Sequence, residues 1–402
     1  MIDIKNYENL AKTYKTPLYI YDFDKIKNNY LDLKEAFRAR KSLICYAVKA
    51  NSNLSILKLL ADLGSGFDCV SFNEVKKALI AGASRYKIIF SGVGKTDDEI
   101  ENALKEDILM LNIESFEELL NVEKIAKSLN LKARISVRVN PNINPKTHPY
   151  ISTGLKENKF GVSINEARKI YIYAKKSEFL ESIGIHFHIG SQLSDVTPIL
   201  ESATLVSNLM RELKALEIDI KFFDIGGGIG IKYDDEKTIN LYEYAQGVLK
   251  ALDGQDCTIV CEPGRSIVAN AGEMLVKVLY KKENDGKNFL IVDGAMNDLL
   301  RPSLYNAFHN IVSLKNNSQD LVSFDIVGPI CESGDFLGKD RYLPNLDKGD
   351  LLVVKDVGAY GFSMSSNYNS RLKPAEVALI NGEVKLIRKR ESFEDLIKNE
   401  RV

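Results

Sequence analysis

Lys49 closes an apolar run, Leu-Ile-Cys-Tyr-Ala-Val-Lys over residues 43–49. Side chains alternate along a strand, so Cys45, Ala47 and Lys49 are expected on one face. A lysine there costs free energy unless it is paired or covalently used. Two readings follow: a strand-end lysine reaching solvent, or a desolvated amine of lowered pKa suited to Schiff-base chemistry. Gly226-Gly-Gly-Ile-Gly230 can present backbone N–H groups to an anion without side-chain interference. Many such turns only reverse the chain. His186 and His188 stand two apart in one run and can both face inward. As a metal pair they lack a third ligand at suitable spacing. His188 reads better as a flat ring packed against a flat cofactor, and His186 as a satisfied interior histidine. Cys331-Glu-Ser-Gly-Asp335 is a loop or part of a site, and Pro302 can start a helix after Arg301. Gly94-Lys95-Thr96 looks like the end of a phosphate loop, but Ile89 stands where its upstream glycine is required.

These groups need elements to hold them. Short apolar runs at 43–49, 67–71, 87–92, 108–114, 134–140, 183–190, 221–226 and 257–262 alternate with helix-like patterns. The stretch 54–63 is one such pattern, with Asn53 as a cap and Gly64 as a stop. Eight strands alternating with helices make a (β/α)8 TIM barrel; a doubly wound sheet is the rival and usually needs fewer strands. In a barrel, reactive groups sit where strands end. The ends here carry Lys49, then Asp68 and Ser71, Arg138, His188, the glycine turn, and Glu262-Pro-Gly-Arg265. After about residue 272 the pattern becomes strand-rich, at 274–280, 289–293, 322–327, 350–357 and 376–388. Asn381-Gly382 reads as a hairpin turn. The fold expected is a barrel over 24–270 followed by a C-terminal β domain, sandwich- or barrel-like, over 271–402. Residues 1–23, with the strand-like 17–21, would join that β domain.

The chain has 402 residues, enough for two domains. Lys plus Arg number 54 and Asp plus Glu 55, which argues against a nucleic-acid partner held by phosphate contacts. The first residues are too polar for a signal peptide, and no apolar run is long enough to cross a bilayer. Five scattered cysteines without zinc or redox spacing point to a reduced cytoplasmic protein.

Nine motifs appear in order: Tyr46-Ala-Val-Lys-Ala-Asn51, His148-Pro-Tyr-Ile-Ser-Thr-Gly154, Lys159-Phe-Gly161, His186-Phe-His-Ile-Gly-Ser-Gln192, the glycine turn, Glu262-Pro-Gly-Arg265, Arg301-Pro-Ser-Leu-Tyr305, Cys331-Glu-Ser-Gly-Asp335 and Gly358-Ala-Tyr360. Together they resemble the alanine-racemase-like, fold type III pyridoxal-phosphate decarboxylases, over nearly the whole chain. The branch they resemble acts on meso-diaminopimelate and forms lysine. The resemblance implies that Lys49 is the Schiff-base lysine, His188 stacks on the cofactor ring, and Glu262 keeps its nitrogen protonated. It implies that Ser191, Gly226, Gly227, Gly228, Gly264 and Arg265 meet the phosphate, with Tyr360 nearby, and that Asp68 and Arg138 belong to the cofactor site. Arg265, Arg301, Tyr305, Glu332 and Tyr360 would contact substrate. Cys331 would be the proton donor, reaching with Glu332 into the partner subunit's site, so a homodimer is implied. The turns at Gly92-Val-Gly94 and Phe72-Asn73 depart from the family's usual residues. An ornithine or arginine decarboxylase, or a non-catalytic relative, are the competing readings. Charge matching separates them: ornithine offers only an ammonium at its far end, whereas diaminopimelate adds a carboxylate that an arginine such as Arg301 can hold through two hydrogen bonds.

Overall fold

The computed structural model describes residues 4–144, 153, 158–315 and 321–401. A helix over Ile4–Tyr14 leads into β1 (Leu18–Asp22). Then come β2 (Ser42–Ala47), β3 (Gly66–Cys69), β4 (Ile88–Phe90), β5 (Met110–Ile113), β6 (Ala133–Arg138), β7 (Leu180–His186), β8 (Phe222–Asp224) and β9 (Thr258–Cys261). These eight strands pair in sequence order, all parallel, and β9 returns to β2 to close a barrel. Each of the eight predicted runs is a barrel strand. All seven gaps between them hold a helix, from Leu54–Asp62 to Leu241–Ala251. The predicted cap works as read: the Asn53 side chain accepts from the Ser55 N–H at 2.9 Å. Ser71 stands two residues beyond β3. It caps the next helix, accepting from Glu74 N–H. Thr96 is likewise a helix cap, with Glu99 completing a capping box, which accounts for the phosphate-loop lookalike. Apolar residues from five of the strands, Cys45, Ile89, Met110, Ile183 and Val260, cluster in one core.

The chain forms two compact units: residues 27–231 with 237–267, and residues 1–26, 232–236 and 268–402. The second unit is built on a separate nine-stranded mixed sheet. Its further strands are β10 (Gly272–Asn284), β11 (Lys287–Val292), β12 (Ile311–Ser313), β13 (Leu321–Val327), β14 (Phe336–Pro344), β15 (Leu351–Val354), β16 (Ala375–Ile380) and β17 (Glu383–Arg388). The main path runs β14-β13-β11-β10-β1-β16-β17, and β15 pairs with both β10 and β12. As predicted, β1 joins from the N-terminus, antiparallel to β10 and parallel to β16. Asn381 and Gly382 both have positive φ, 49° and 82°, as a tight hairpin turn of this kind requires. Leu18, Ile20, Leu275, Val353 and Val377 form a core with Tyr7 and Leu10 of the first helix. That helix, β12 and β14 were not expected. Among the described residues no helix is long and apolar enough to cross a membrane.

Candidate active site

Strand β2 ends at Ala47, and Val48–Ala50 form one tight helical turn. Lys49 therefore does not continue the alternation of Cys45 and Ala47. Nor is it desolvated: its side chain is 41% exposed, and Nζ donates to Oδ2 of the buried Asp68 at 2.9 Å. Burial raises the Asp68 carboxyl, Glu262 raises it further, and Lys49 opposes both. The lysine is thus poised by a buried counter-charge, with its amine at the barrel's end.

The Lys49 turn is laced to the segment that follows β9, the strand beside β2. Ala47 N–H donates to the Pro263 carbonyl at 3.0 Å, and Gly264 packs against Ala47 and Ala50. Glu262 N–H in turn donates to the Gly226 carbonyl at 2.7 Å. The glycine turn is shaped for close approach. Gly226 and Gly228 have φ of 64° and 104°, and a Cβ on either would fall within 2.6 Å of a carbonyl oxygen, that of Phe187 or of Gly190. Between them, Gly227 N–H donates to Nδ1 of His188 at 3.2 Å. Arg265 donates to Oγ of Ser191 at 3.0 Å, so two predicted phosphate residues are in contact.

Glu262 is buried and faces His186 and Asp224. Burial pushes its carboxyl up, but the His186 ring and the Lys49 ammonium outweigh this and hold it at about 2. Asp224 goes the other way: burial, reinforced by the Glu262 charge, lifts it well above the carboxylate range. Asp224 Oδ1 accepts from the Gly226 N–H at 2.9 Å, and its Oδ2 has no hydrogen-bond partner among the described residues. His186 is not the satisfied interior histidine expected. Its Nε2 lies 3.3 Å from Glu262 Oε2, an ion-pair distance without hydrogen-bond alignment, and neither ring nitrogen has a hydrogen-bond partner. The metal-like grouping, too, is different from the pair considered in the sequence. His186, Asp224 and Glu262 bring ligand atoms within 4.8 Å of one another, and His188 is not part of the group.

His188 stands beside this group. Loss of hydration, then the Arg138 and Lys49 charges, push it well below the usual imidazole range. The ring is neutral, and because Nδ1 accepts from Gly227, its proton is on Nε2. Arg138 is braced by a residue that sequence reasoning missed. Glu114, buried at the end of β5, accepts from Arg138 at 3.1 Å, Gly92 N–H at 3.2 Å and Gly161 N–H at 3.0 Å. The Arg138 guanidinium lies over the Phe160 ring at 4.7 Å. Of the marker beginning at His148, Thr153 alone is described, donating to the His188 carbonyl at 3.0 Å; His148 to Ser152 and Gly154 lie outside the described residues.

The remaining predicted residues belong to the second unit. Arg301 is buried and opens the helix Arg301–Tyr305, with Pro302 in its first turn as expected. Its guanidinium donates to Nε2 of His309 at 2.9 Å and lies 4.8 Å from the centre of the Tyr233 ring. Cys331 and Glu332 are exposed. Their loop is pinned by Asp335, which accepts from the Met296 and Ile330 N–H groups at 2.7 Å each. Tyr368 donates to Glu332 at 2.8 Å. Tyr360 sits at φ 59°.

A parallel barrel whose strand ends carry a lysine, a neutral histidine, an ionised buried glutamate and a glycine turn defines a pyridoxal-phosphate enzyme. The family pattern "Pyridoxal-dependent decarboxylase, pyridoxal binding domain" matches residues 23–269. The chain belongs to this family, and within it to the diaminopimelate decarboxylases. It is 61% identical to the diaminopimelate decarboxylase of Campylobacter jejuni, over 98% of each chain. It is 59% identical to that of Helicobacter pylori, over 97% of each. A crystal structure of the Helicobacter pylori enzyme complexed with L-lysine superposes with a TM-score of 0.96, covering 98% of this chain and 99% of that one. The residues present fit the family's cofactor. An amine is held at the barrel end by Asp68, the His188 ring is held by the Gly227 N–H, and the buried Glu262 is ionised with Oε1 lacking a hydrogen-bond partner.

Proposed function

We propose that this chain decarboxylates meso-2,6-diaminopimelate to L-lysine with pyridoxal 5'-phosphate. The observation that carries the reading is Glu262, a buried carboxyl held ionised at about 2 beside the lysine and histidine of the barrel end. The lysine-bound Helicobacter pylori structure supports the identity of the product.

Bound pyridoxal phosphate supplies the electron sink for the pair left behind when carbon dioxide departs. Lys49 would hold the cofactor through its amine. Asp68 keeps the lysine amine at the barrel end. Glu262, held ionised beside His186 and Lys49, would face the ring nitrogen and favour its protonated form. The uncharged His188 ring would pack against the cofactor ring. Ser191, Gly226, Gly227, Gly228, Gly264 and Arg265 receive the phosphate, with Tyr360 nearby, and Arg138 holds its neighbours in place. Arg301 and Tyr305 take the carboxylate at the substrate's far end, Glu332 the far ammonium, and Arg265 and Tyr360 also meet substrate. The Cys331 thiol gives a proton to the carbon that has lost its carboxylate. Cys331 and Glu332 serve the partner subunit's site, which makes a homodimer the working form. Five free cysteines suit a cytoplasmic setting.

The test is carbon dioxide release from meso-diaminopimelate, lysine, ornithine and arginine under one set of conditions. Turnover is expected with meso-diaminopimelate at far greater efficiency than with the others. Comparable efficiency on ornithine would overturn the substrate assignment, and no release from any of them would overturn the activity.

A further inference from the structure

His309 is fully buried, and both of its ring nitrogens are engaged. Nδ1 lies 2.9 Å from the Lys355 backbone carbonyl. A carbonyl only accepts, so Nδ1 carries the proton. A neutral imidazole has one proton, which leaves a lone pair on Nε2. That lone pair accepts from the Arg301 guanidinium at 2.9 Å. The backbone of Lys355 thus fixes the tautomer, and the tautomer presents an acceptor to the arginine. Tyr233 completes the clamp. Its ring lies against the guanidinium at 4.8 Å and meets the imidazole edge-on at 5.4 Å and 81°. Tyr233 belongs to the short segment 232–236 that clusters with the second unit. Glu236 folds that segment back, accepting from the Tyr233 and Asp234 N–H groups at 3.0 and 2.7 Å.

We infer that His309 is a positioning residue for substrate selection, orienting Arg301 so that its remaining N–H groups meet the carboxylate at the far end of the substrate. The inference rests on the reading of Arg301 given above. An arginine recognises a carboxylate through two parallel hydrogen bonds, and this demands a fixed guanidinium plane. Arg301 comes from a flexible side-chain type, so the plane must be set by its neighbours. A ring on one face and an acceptor at one terminal nitrogen set it before substrate arrives, and binding then loses less conformational entropy.

Two substitutions separate positioning from support. His309→Asn has the reach to donate to the Lys355 carbonyl but not to accept from Arg301. His309→Gln has the longer reach to accept from Arg301 and gives up the Lys355 contact. Both are assayed as holoenzyme beside wild type and Arg301→Ala. Positioning predicts that His309→Asn raises KM for meso-diaminopimelate about tenfold with kcat within a few-fold. His309→Gln is expected to stay within about threefold of wild-type KM. Turnover of ornithine, which has no far carboxylate, should not change between the two. Equal KM in both variants and wild type, or greater damage in His309→Gln than in His309→Asn, would overturn the inference. A wild type inactive on meso-diaminopimelate would instead overturn the substrate assignment. An unchanged KM in Arg301→Ala would overturn the role of Arg301, and that of His309 with it.

Discussion

At the barrel end, His186 has no hydrogen bond to either nitrogen, two buried acids face one another, and a lysine rests on a buried aspartate. In the second unit, Arg301 meets a ring and an oriented histidine, and that histidine is tied to a backbone carbonyl. The first group is held in electrostatic tension, with charges balanced against burial and against one another. The second is assembled before any ligand arrives. Chemistry that moves electrons profits from the first arrangement, because its groups change partners during a turnover. Recognition of a rigid, charged end group profits from the second, because pre-organisation lowers the entropic cost of binding.

The comparison can be broken most severely at Lys49. Lys49→Ala should abolish the visible absorbance of the bound cofactor and reduce turnover to background. Mixed with inactive Cys331→Ala chains it should recover part of the activity through hybrid dimers. Normal turnover in the single variant, or no recovery despite verified subunit exchange, would count against the arrangement proposed. Next is Glu262→Gln, which keeps the shape but cannot hold a proton on the ring nitrogen; kcat should fall roughly 100-fold or more. A variant as fast as wild type would mean that the tension at the barrel end serves stability instead. Arg301→Ala should act on the other side of the comparison. A rise in KM of roughly 100-fold is expected, with the cofactor spectrum unchanged. If the spectrum changes as well, the two groups are not separable in function.

The smallest effect concerns pH. Burial, then Arg138 and Lys49, hold His188 below the imidazole range, so the unfolded chain takes up a proton that the folded chain refuses. The resulting stability is present above about pH 6.5 and is lost as pH falls below it, at up to about 1.4 kcal/mol per pH unit. His188→Phe removes this contribution. Chemical denaturation between about pH 5 and 6.5 should give a shallower pH slope for the variant. Identical slopes would mean that His188 is protonated in the folded protein.

Strand ends were the legible part of this molecule. A barrel aims its chemistry from one end of its strands, so a charged residue closing an apolar run stands out, and Lys49 and Glu262 both did. Asp224 was hidden because it lies inside the apolar run 221–226 and was absorbed into it. An acid in a buried strand should have prompted the question of its partner. Glu114 closes its own run, but its three partners come from separate segments that no spacing connects. His309 left no signal, since its tautomer is set by the carbonyl of Lys355, 46 positions later. Among the strands, β14 was missed because it is the sheet's edge and carries Lys339, Asp340 and Arg341, a composition that discourages further pairing more than it announces a strand.

Glu114 has a bearing on how this barrel can be altered. One carboxylate receives the chain after β4, the arginine ending β6 and the glycine at 161. Loops around a barrel are usually treated as interchangeable parts, each to be lengthened or swapped without regard to the next. Here three of them share a single fastening. Grafting a new loop at Gly92 or Gly161 alone would strand a buried anion against Arg138, so redesign at this rim has to replace the segments together or supply a new acceptor in the same place.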